Sequence, residues 1–179
     1  TLGTGVGSGI IINGQLVYGH DGFAGELGHT RMVRSNGRPC GCGRTGCLEA
    51  YASAIGVART TREWIDSGKY PNSLLVGKDE ISSKDVYEAA VAGDQLAIDV
   101  FNFTGKKLGQ AFADFVSFSA PEAIVVFGGL VRAGEFILKP IREALEENVL
   151  FTWKGKVNVI PSSLKESDAA ILGASSLAW

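Results

Sequence analysis

The sequence predicts an α/β domain in which a mixed sheet is flanked by helices. Two patterns carry the prediction. A β-branched apolar run ends at Asn13-Gly14, a strong short-range hairpin signal, and helical and short buried-strand patterns alternate over the rest of the chain. The length, 179 residues, is that of one domain and is enough to bury a core.

Taken in order, residues 6–12 read as a strand, 15–18 as its return and Gly19-His20-Asp21-Gly22 as a loop. Residues 29–33 are expected to form a third strand ahead of a loop over 39–47. Apolar spacing predicts a helix over 48–65, stopped by Gly68, Pro71 and Asn72. Ser82 and Asp85 form a capping box with Asp in the place of Glu, opening a helix to about residue 92 that ends at Gly93-Asp94. A longer helix over 95–116 sets Leu96, Val100, Phe103, Leu108, Phe112 and Phe115 roughly along one face. Residues 123–127 are a buried-strand run broken by Gly128-Gly129, with a helix following to about residue 148. A strand over 157–160 and a last helix over 169–177, capped by Asp168, complete the expected order.

Composition excludes several classes. With 45% apolar and 20% charged residues the chain is neither disordered nor fibrous. Seventeen basic against nineteen acidic side chains leave a net charge of −2, which offers no basic field to a phosphodiester backbone. No apolar run approaches the roughly 18–20 residues of a membrane span, and no basic start followed by an apolar stretch marks a secretory signal. A reducing, cytoplasmic setting is therefore expected. There, the three cysteines crowded at Cys40, Cys42 and Cys47 are better read as metal ligands than as a disulfide framework.

Thirteen of the 24 glycines lie in the first 47 residues, where the candidate chemistry also lies. In Gly3-Thr4-Gly5-Val6-Gly7-Ser8-Gly9, glycines permit close backbone approach to a polyanion, and Thr4 and Ser8 add hydroxyls. The run lacks the Lys-Ser/Thr of a P-loop and fits no frame of G-x-G-x-x-G, so taken alone it is better read as a plain glycine-rich strand entering a hairpin. Cys40, Cys42 and Cys47 supply three soft ligands, and His29, eleven residues upstream of Cys40, completes a closed structural zinc tetrahedron. The alternative is three reduced cysteines packed as small apolar residues. Glu26 and Glu49 flank this group in sequence. Carboxylate acceptors beside an imidazole donor suit a polyhydroxylated ligand such as a sugar, although spacing alone favours a turn residue at 26 and a solvated first-turn glutamate at 49. Gly128-Gly129, between a strand and a helix, is a place where amides can meet a nucleotide, or merely a tight turn.

Together these residues closely resemble the ROK family of bacterial sugar kinases, related open-reading-frame proteins and repressors, and within it the glucokinase type. Its signature stands here as Gly25-Glu26-Leu27-Gly28-His29 and Cys40-Gly41-Cys42-Gly43-Arg44-Thr45-Gly46-Cys47-Leu48-Glu49-Ala50. Residues 2–9 resemble the family's second phosphate segment, and the strand ending Phe127-Gly128-Gly129 resembles its adenosine segment. The resemblance implies an actin-like ATPase fold (ribonuclease H-like, hexokinase-type), with nucleotide and sugar in a cleft between two domains. It implies structural zinc on His29, Cys40, Cys42 and Cys47. Glu26, His29 and Glu49 are then expected on the sugar hydroxyls, with His29 giving one ring nitrogen to the metal and one to the sugar. Thr4, Gly5, Gly128 and Gly129 are expected on ATP, with Mg²⁺ on its phosphates.

The implied reaction is transfer of the ATP γ-phosphoryl group to the 6-hydroxyl of a hexose, glucose foremost. The family's first phosphate segment and its Asn-Asp pair, whose Asp is the general base, are not among these residues. The chain is therefore expected to be the C-terminal domain of a longer kinase, with no catalytic base of its own and no turnover alone. Family repressors share the sugar signature behind a helix-turn-helix, so a sugar-sensing domain is the second reading, and a zinc-stabilised domain without activity is the third. The intact glycine loop and Gly128-Gly129 favour the kinase. The family also implies a homodimer.

Overall fold

The structure is a computed structural model and describes residues 1–176. Asn13 and Gly14 both adopt positive φ, 52° and 77°, and make the two-residue turn between β1 (Ile11–Ile12) and β2 (Gln15–Leu16). The pair is antiparallel, with Ile11 opposite Leu16 and Ile12 opposite Gln15. The expected strand over 6–12 is thus only two residues long. Upstream of it the chain makes different bonds: the Val6 N–H goes to the Glu49 carboxylate and the Gly7 N–H to the Thr1 carbonyl. The third strand expected over 29–33 does not form either. His29 closes a 3₁₀ turn, Leu27–His29, and Arg31 makes a single bridge to Cys47. The N–H groups of Met32 and Val33 both converge on the Gly46 carbonyl, which folds the segment into a turn instead of a ladder.

The helix expected over 48–65 divides at Ser53. A short α1 (Glu49–Ala52) ends there, and Ser53, in extended conformation, caps α2 (Ala54–Asp66) by accepting the Gly56 N–H at 3.0 Å. The capping box is formed as expected at the start of α3 (Ser83–Val91): the Ser82 hydroxyl accepts the Asp85 N–H, and the Asp85 carboxylate accepts the Ser82 N–H. Asp94 caps α4 (Gln95–Ser119), which runs three residues past the expected end and stops at Ala120, a left-handed residue.

The core lies around α4. Phe101 and Leu108 pack with Ile137 and Ile141 of α5 (Glu135–Asn148), Val57 of α2 and Val86 of α3, all wholly buried. Each such side chain contributes about 1.5–3 kcal/mol when removed from water. Gly105 and Gly109 let α4 and α5 approach closely: a Cβ at Gly105 would lie 2.5 Å from Pro140 Cγ, and one at Gly109 2.6 Å from Ala144 Cβ.

β3 (Ala123–Val126) and β4 (Asn158–Pro161) pair in parallel, from Ala123 opposite Asn158 to Val126 opposite Pro161, with α5 in the crossover. The helix expected directly after Gly128-Gly129 is preceded by a 3₁₀ turn, Gly129–Ala133, and Gly134 reverses the chain before α5 begins. The last helix, α6 (Glu166–Ser176), opens earlier than expected. The Asp168 and Ala169 N–H groups both bond the Lys165 carbonyl, so Asp168 lies inside the first turn of the helix and not at the N-cap position expected for it; Leu177 falls outside the described residues. Among the described residues the antiparallel and parallel pairs stay separate, and Leu2 ties the N-terminal strip to the segment that follows β3. Its N–H donates to the Phe127 carbonyl at 2.6 Å, and its carbonyl accepts the Leu130 N–H at 3.1 Å.

Candidate functional site

The loop between Arg38 and Cys47 is closed by backbone bonds: Cys40 N–H to Arg44 O, Gly43 N–H to Cys40 O and Gly46 N–H to Arg38 O. Gly46, at φ 80°, sits against the Val33 carbonyl where no side chain fits. This folding brings His29, Cys40, Cys42 and Cys47 together, with one ligand atom from each within 4.8 Å of all the others. Cys42 Sγ lies 3.7 Å from Cys47 Sγ, and Cys40 Sγ lies 3.6 Å from His29 Nδ1. A tetrahedral zinc with Zn–S of about 2.3 Å and Zn–N of about 2.0–2.1 Å has sulfur–sulfur edges of about 3.8 Å and sulfur–nitrogen edges of about 3.6 Å. The donor set and its spacing fit that ion. The bare thiols differ sharply. The Arg44 backbone N–H and guanidinium hold Cys42 down at about 6, while burial, with help from the neighbouring sulfurs, pushes Cys47 up to about 12.

The imidazole of His29 faces two ways. Nδ1 points to the thiol cluster, and Nε2 lies 3.8 Å from Glu26 Oε2. That gap is too wide for a direct hydrogen bond. Glu26 is two-thirds exposed and His29 about one-quarter. Glu49, the first residue of α1, is half-buried, with Oε1 3.6 Å from Cys40 Sγ and Oε2 accepting the Val6 N–H at 3.0 Å. Contacts therefore run Glu26, His29, Cys40, Glu49 and onward to the glycine loop.

That loop is held at every side. The Ala54 N–H donates to Gly3 O at 2.8 Å, the Ser8 hydroxyl donates to Gly25 O, and the Leu27 N–H donates back to the Ser8 hydroxyl at 3.2 Å. A Cβ on Gly5 would come within 2.5 Å of Glu49 Oε2, and one on Gly28 would drive into the Val6 carbonyl. Gly128, at φ 106°, touches the Leu2 carbonyl so closely that a Cβ would stand 2.6 Å from it. The two candidate nucleotide segments thus adjoin, with Thr4 and Gly129 exposed and Gly5 and Gly128 half-buried. Beside Gly128 lies a cavity of about 510 Å³ lined by Phe127, Val131, Arg132, Ser162 and Lys165. A larger one, about 1060 Å³, is lined by Trp64, Tyr70, Phe103 and Phe136, shares only Arg132 with the first, and touches none of the cysteine, histidine, glutamate or glycine-loop residues, so chemistry and not size marks the site.

Two supports escaped the sequence reading. Arg38, 9% exposed, donates from Nη1 to the Ala50 carbonyl (3.2 Å) and the Thr60 hydroxyl (2.9 Å), and from Nη2 to Glu63 Oε2 (2.5 Å). Its guanidinium lies 4.6 Å over the Tyr51 ring. Burial alone would raise the Glu63 carboxyl, but Arg38 and Arg59 together outweigh it and hold it below its ordinary value. Arg44 Nη2 donates to the His29 carbonyl at 2.8 Å, pinning the ligand's backbone. An arginine two residues before the first cysteine was the only available signal for Arg38.

The family model of the ROK family matches residues 1–179, and the chain belongs to that family. Its fold is the actin-like ATPase fold of the family's sugar kinases. The chain is 42% identical over 153 residues to the glucokinase of Halalkalibacterium halodurans, covering 84% of this chain and 46% of that protein. The structure of a ROK family glucokinase from Streptomyces griseus, in complex with glucose and AMPPNP, superposes with a TM-score of 0.87 at 36% identity, over 98% of this chain and 58% of that one. The DNA-binding transcriptional dual regulator NagC of Escherichia coli is 31% identical over 92% of this chain and 40% of its own length. The chain spans about half the length of the curated relatives it matches. Among the described residues, no helix is long and apolar enough to cross a membrane.

Proposed function

We propose that this chain is the C-terminal domain of a two-domain ROK kinase that phosphorylates a hexose, with glucose as the first choice, at its 6-hydroxyl from ATP. The observation that carries the proposal is the two-way imidazole of His29, with Nδ1 on the thiol cluster and Nε2 facing Glu26. Zinc held by His29, Cys40, Cys42 and Cys47 supplies structural cross-linking. With Nδ1 committed there, the neutral ring keeps its proton on Nε2. Nε2–H and the Glu26 carboxylate then form a donor and an acceptor 3.8 Å apart, the complement of one sugar hydroxyl, which both gives and takes a hydrogen bond. Glu49 adds a second acceptor, fixed in place by the Val6 N–H. Thr4, Gly5, Gly128 and Gly129 form part of the cradle for ATP and its Mg²⁺.

Phosphoryl transfer between these two ligands depends mainly on in-line positioning and charge neutralisation. The base that takes the hydroxyl proton, an aspartate, is assigned to the part of the protein outside these residues, in keeping with relatives about twice as long. The match to NagC keeps a sugar-sensing regulator as the second reading; the retained glycine loop and Gly128-Gly129 favour the kinase. A coupled assay for glucose 6-phosphate on the full-length protein tests both. We expect Glu26→Ala to raise the KM for glucose about 10- to 150-fold, the loss of one charge-assisted hydrogen bond of about 1.5–3 kcal/mol, with zinc content and the KM for ATP unchanged. An unaltered glucose KM removes Glu26 from the site, and no turnover by the wild-type protein despite glucose binding favours the regulator.

A further inference from the structure

We propose that Cys42 and Cys47 form a redox-active pair, which a peroxide oxidises to a disulfide with expulsion of the metal. The proposal rests on the zinc reading above. The two sulfurs stand 3.7 Å apart and need to close by about 1.6 Å to reach the S–S bond length of about 2.05 Å. Their settings are opposite. Cys42 is exposed at the tip of the loop between Gly41 and Gly43, and a Cβ at either glycine would meet nothing within 4 Å, so the tip has room to move. Cys47 is wholly buried and fixed, with Leu48 buried after it and Gly46 wedged against Val33 before it. An accessible sulfur over an immobile partner is the arrangement of an attacking and a resolving thiol. Cys40 is the poorer partner. Its sulfur is engaged with His29 and Glu49, and its carbonyl and N–H close the turn with Gly43 and Arg44.

The chemistry balances with one peroxide. The Cys42 thiolate attacks a peroxide oxygen, the O–O bond breaks, hydroxide leaves, and Cys42 becomes a sulfenic acid. The Cys47 thiolate then attacks that sulfur, the S–O bond breaks, a second hydroxide leaves, and the S–S bond forms. Two sulfurs lose two electrons and one peroxide gains them. Two of four ligands are consumed, leaving His29 and Cys40, too few to retain a tetrahedral ion. His29 Nδ1 loses its metal, and the ring that faces Glu26 loses its anchor.

The experiment treats the purified full-length protein with hydrogen peroxide. It follows zinc with a chromogenic chelator, intact mass, and cross-linked tryptic peptides, which cleavage at Arg44 separates. We expect one zinc released per disulfide, a mass loss of two hydrogens, a Cys42–Cys47 cross-link, weaker glucose binding, and recovery with dithiothreitol plus zinc. Cys40→Ser should still form the cross-link and Cys42→Ser should not. Zinc retained with all thiols reduced, loss of zinc through sulfinic acids, or a disulfide through Cys40 overturns the pair. Absence of zinc before treatment defeats the metal reading instead, and the cross-link map then decides the pair alone.

Discussion

Replacing Arg38 by Met keeps much of the buried stem and removes the charge that ties the cysteine loop to α1 and α2. The guanidinium donates to Ala50, Thr60 and Glu63 and lies over Tyr51. Breaking a fully buried ion pair costs about 3–5 kcal/mol because a charge is stranded. Here Glu63 is 45% exposed and keeps Arg59 at 3.0 Å, so that part is small. What remains is the charged hydrogen bonds to Ala50 and Thr60, which share the one nitrogen Nη1 and are counted together as one bond of about 1.5–3 kcal/mol, and the cation–π contact, about 0.5–1 kcal/mol. The expected loss is therefore about 2–4 kcal/mol, a fall in Tm of roughly 4–16 °C for a domain of this size. Thermal and urea melts of the zinc-loaded protein measure it, with Arg59→Met as the control, since that exposed i,i+4 pair is worth about 0.5 kcal/mol or less. An Arg38→Met variant that melts with the Arg59→Met control refutes the account.

Gly128→Ala forces a side chain onto φ 106° and into the Leu2 carbonyl. It should destabilise by about 1–3 kcal/mol and, in the full-length protein, raise the KM for ATP more than that for glucose; equal or absent effects would detach this turn from the nucleotide. Asp85 gives a pH signature. The Lys78 ammonium first, and then Ser82, hold its carboxyl well below the usual carboxylate range, so its contribution is present above the ordinary value near pH 3.9 and is lost as pH falls further. Asp85→Asn should therefore be less stable than wild type at neutral pH, with the difference shrinking below about pH 4; a constant difference across that range would contradict the assignment.

What could be read in advance was local. The Asn13-Gly14 turn, the Ser82–Asp85 box and the apolar face of α4 each follow from residues within a few positions of one another, and each is present. The four metal-ligating candidates were legible because cysteine spacing and one histidine leave few alternatives, and they converge. Misjudged segments were governed from afar. Residues 6–10 look like a strand until the Glu49 carboxylate takes the Val6 N–H, and the helix break at Ser53 depends on Gly3 receiving the Ala54 N–H. Nothing beside Arg38 in the sequence marks it as buried, because its partners lie 12 to 25 positions further on.

The bond between Leu2 and Phe127 sets an order of assembly. The metal loop spans residues 29–47 and can close as soon as those residues exist, a contact of short range and low closure entropy. The strip at residues 2–8 reaches across 125 positions to its furthest partner, the kind of contact that forms late and slows folding. At about 5–20 residues per second, the ribosome delivers that partner roughly 6–25 s after Leu2. Through that interval the glycine-rich strip lacks its furthest partner, while the metal loop that leads into Glu49 is already competent to fold.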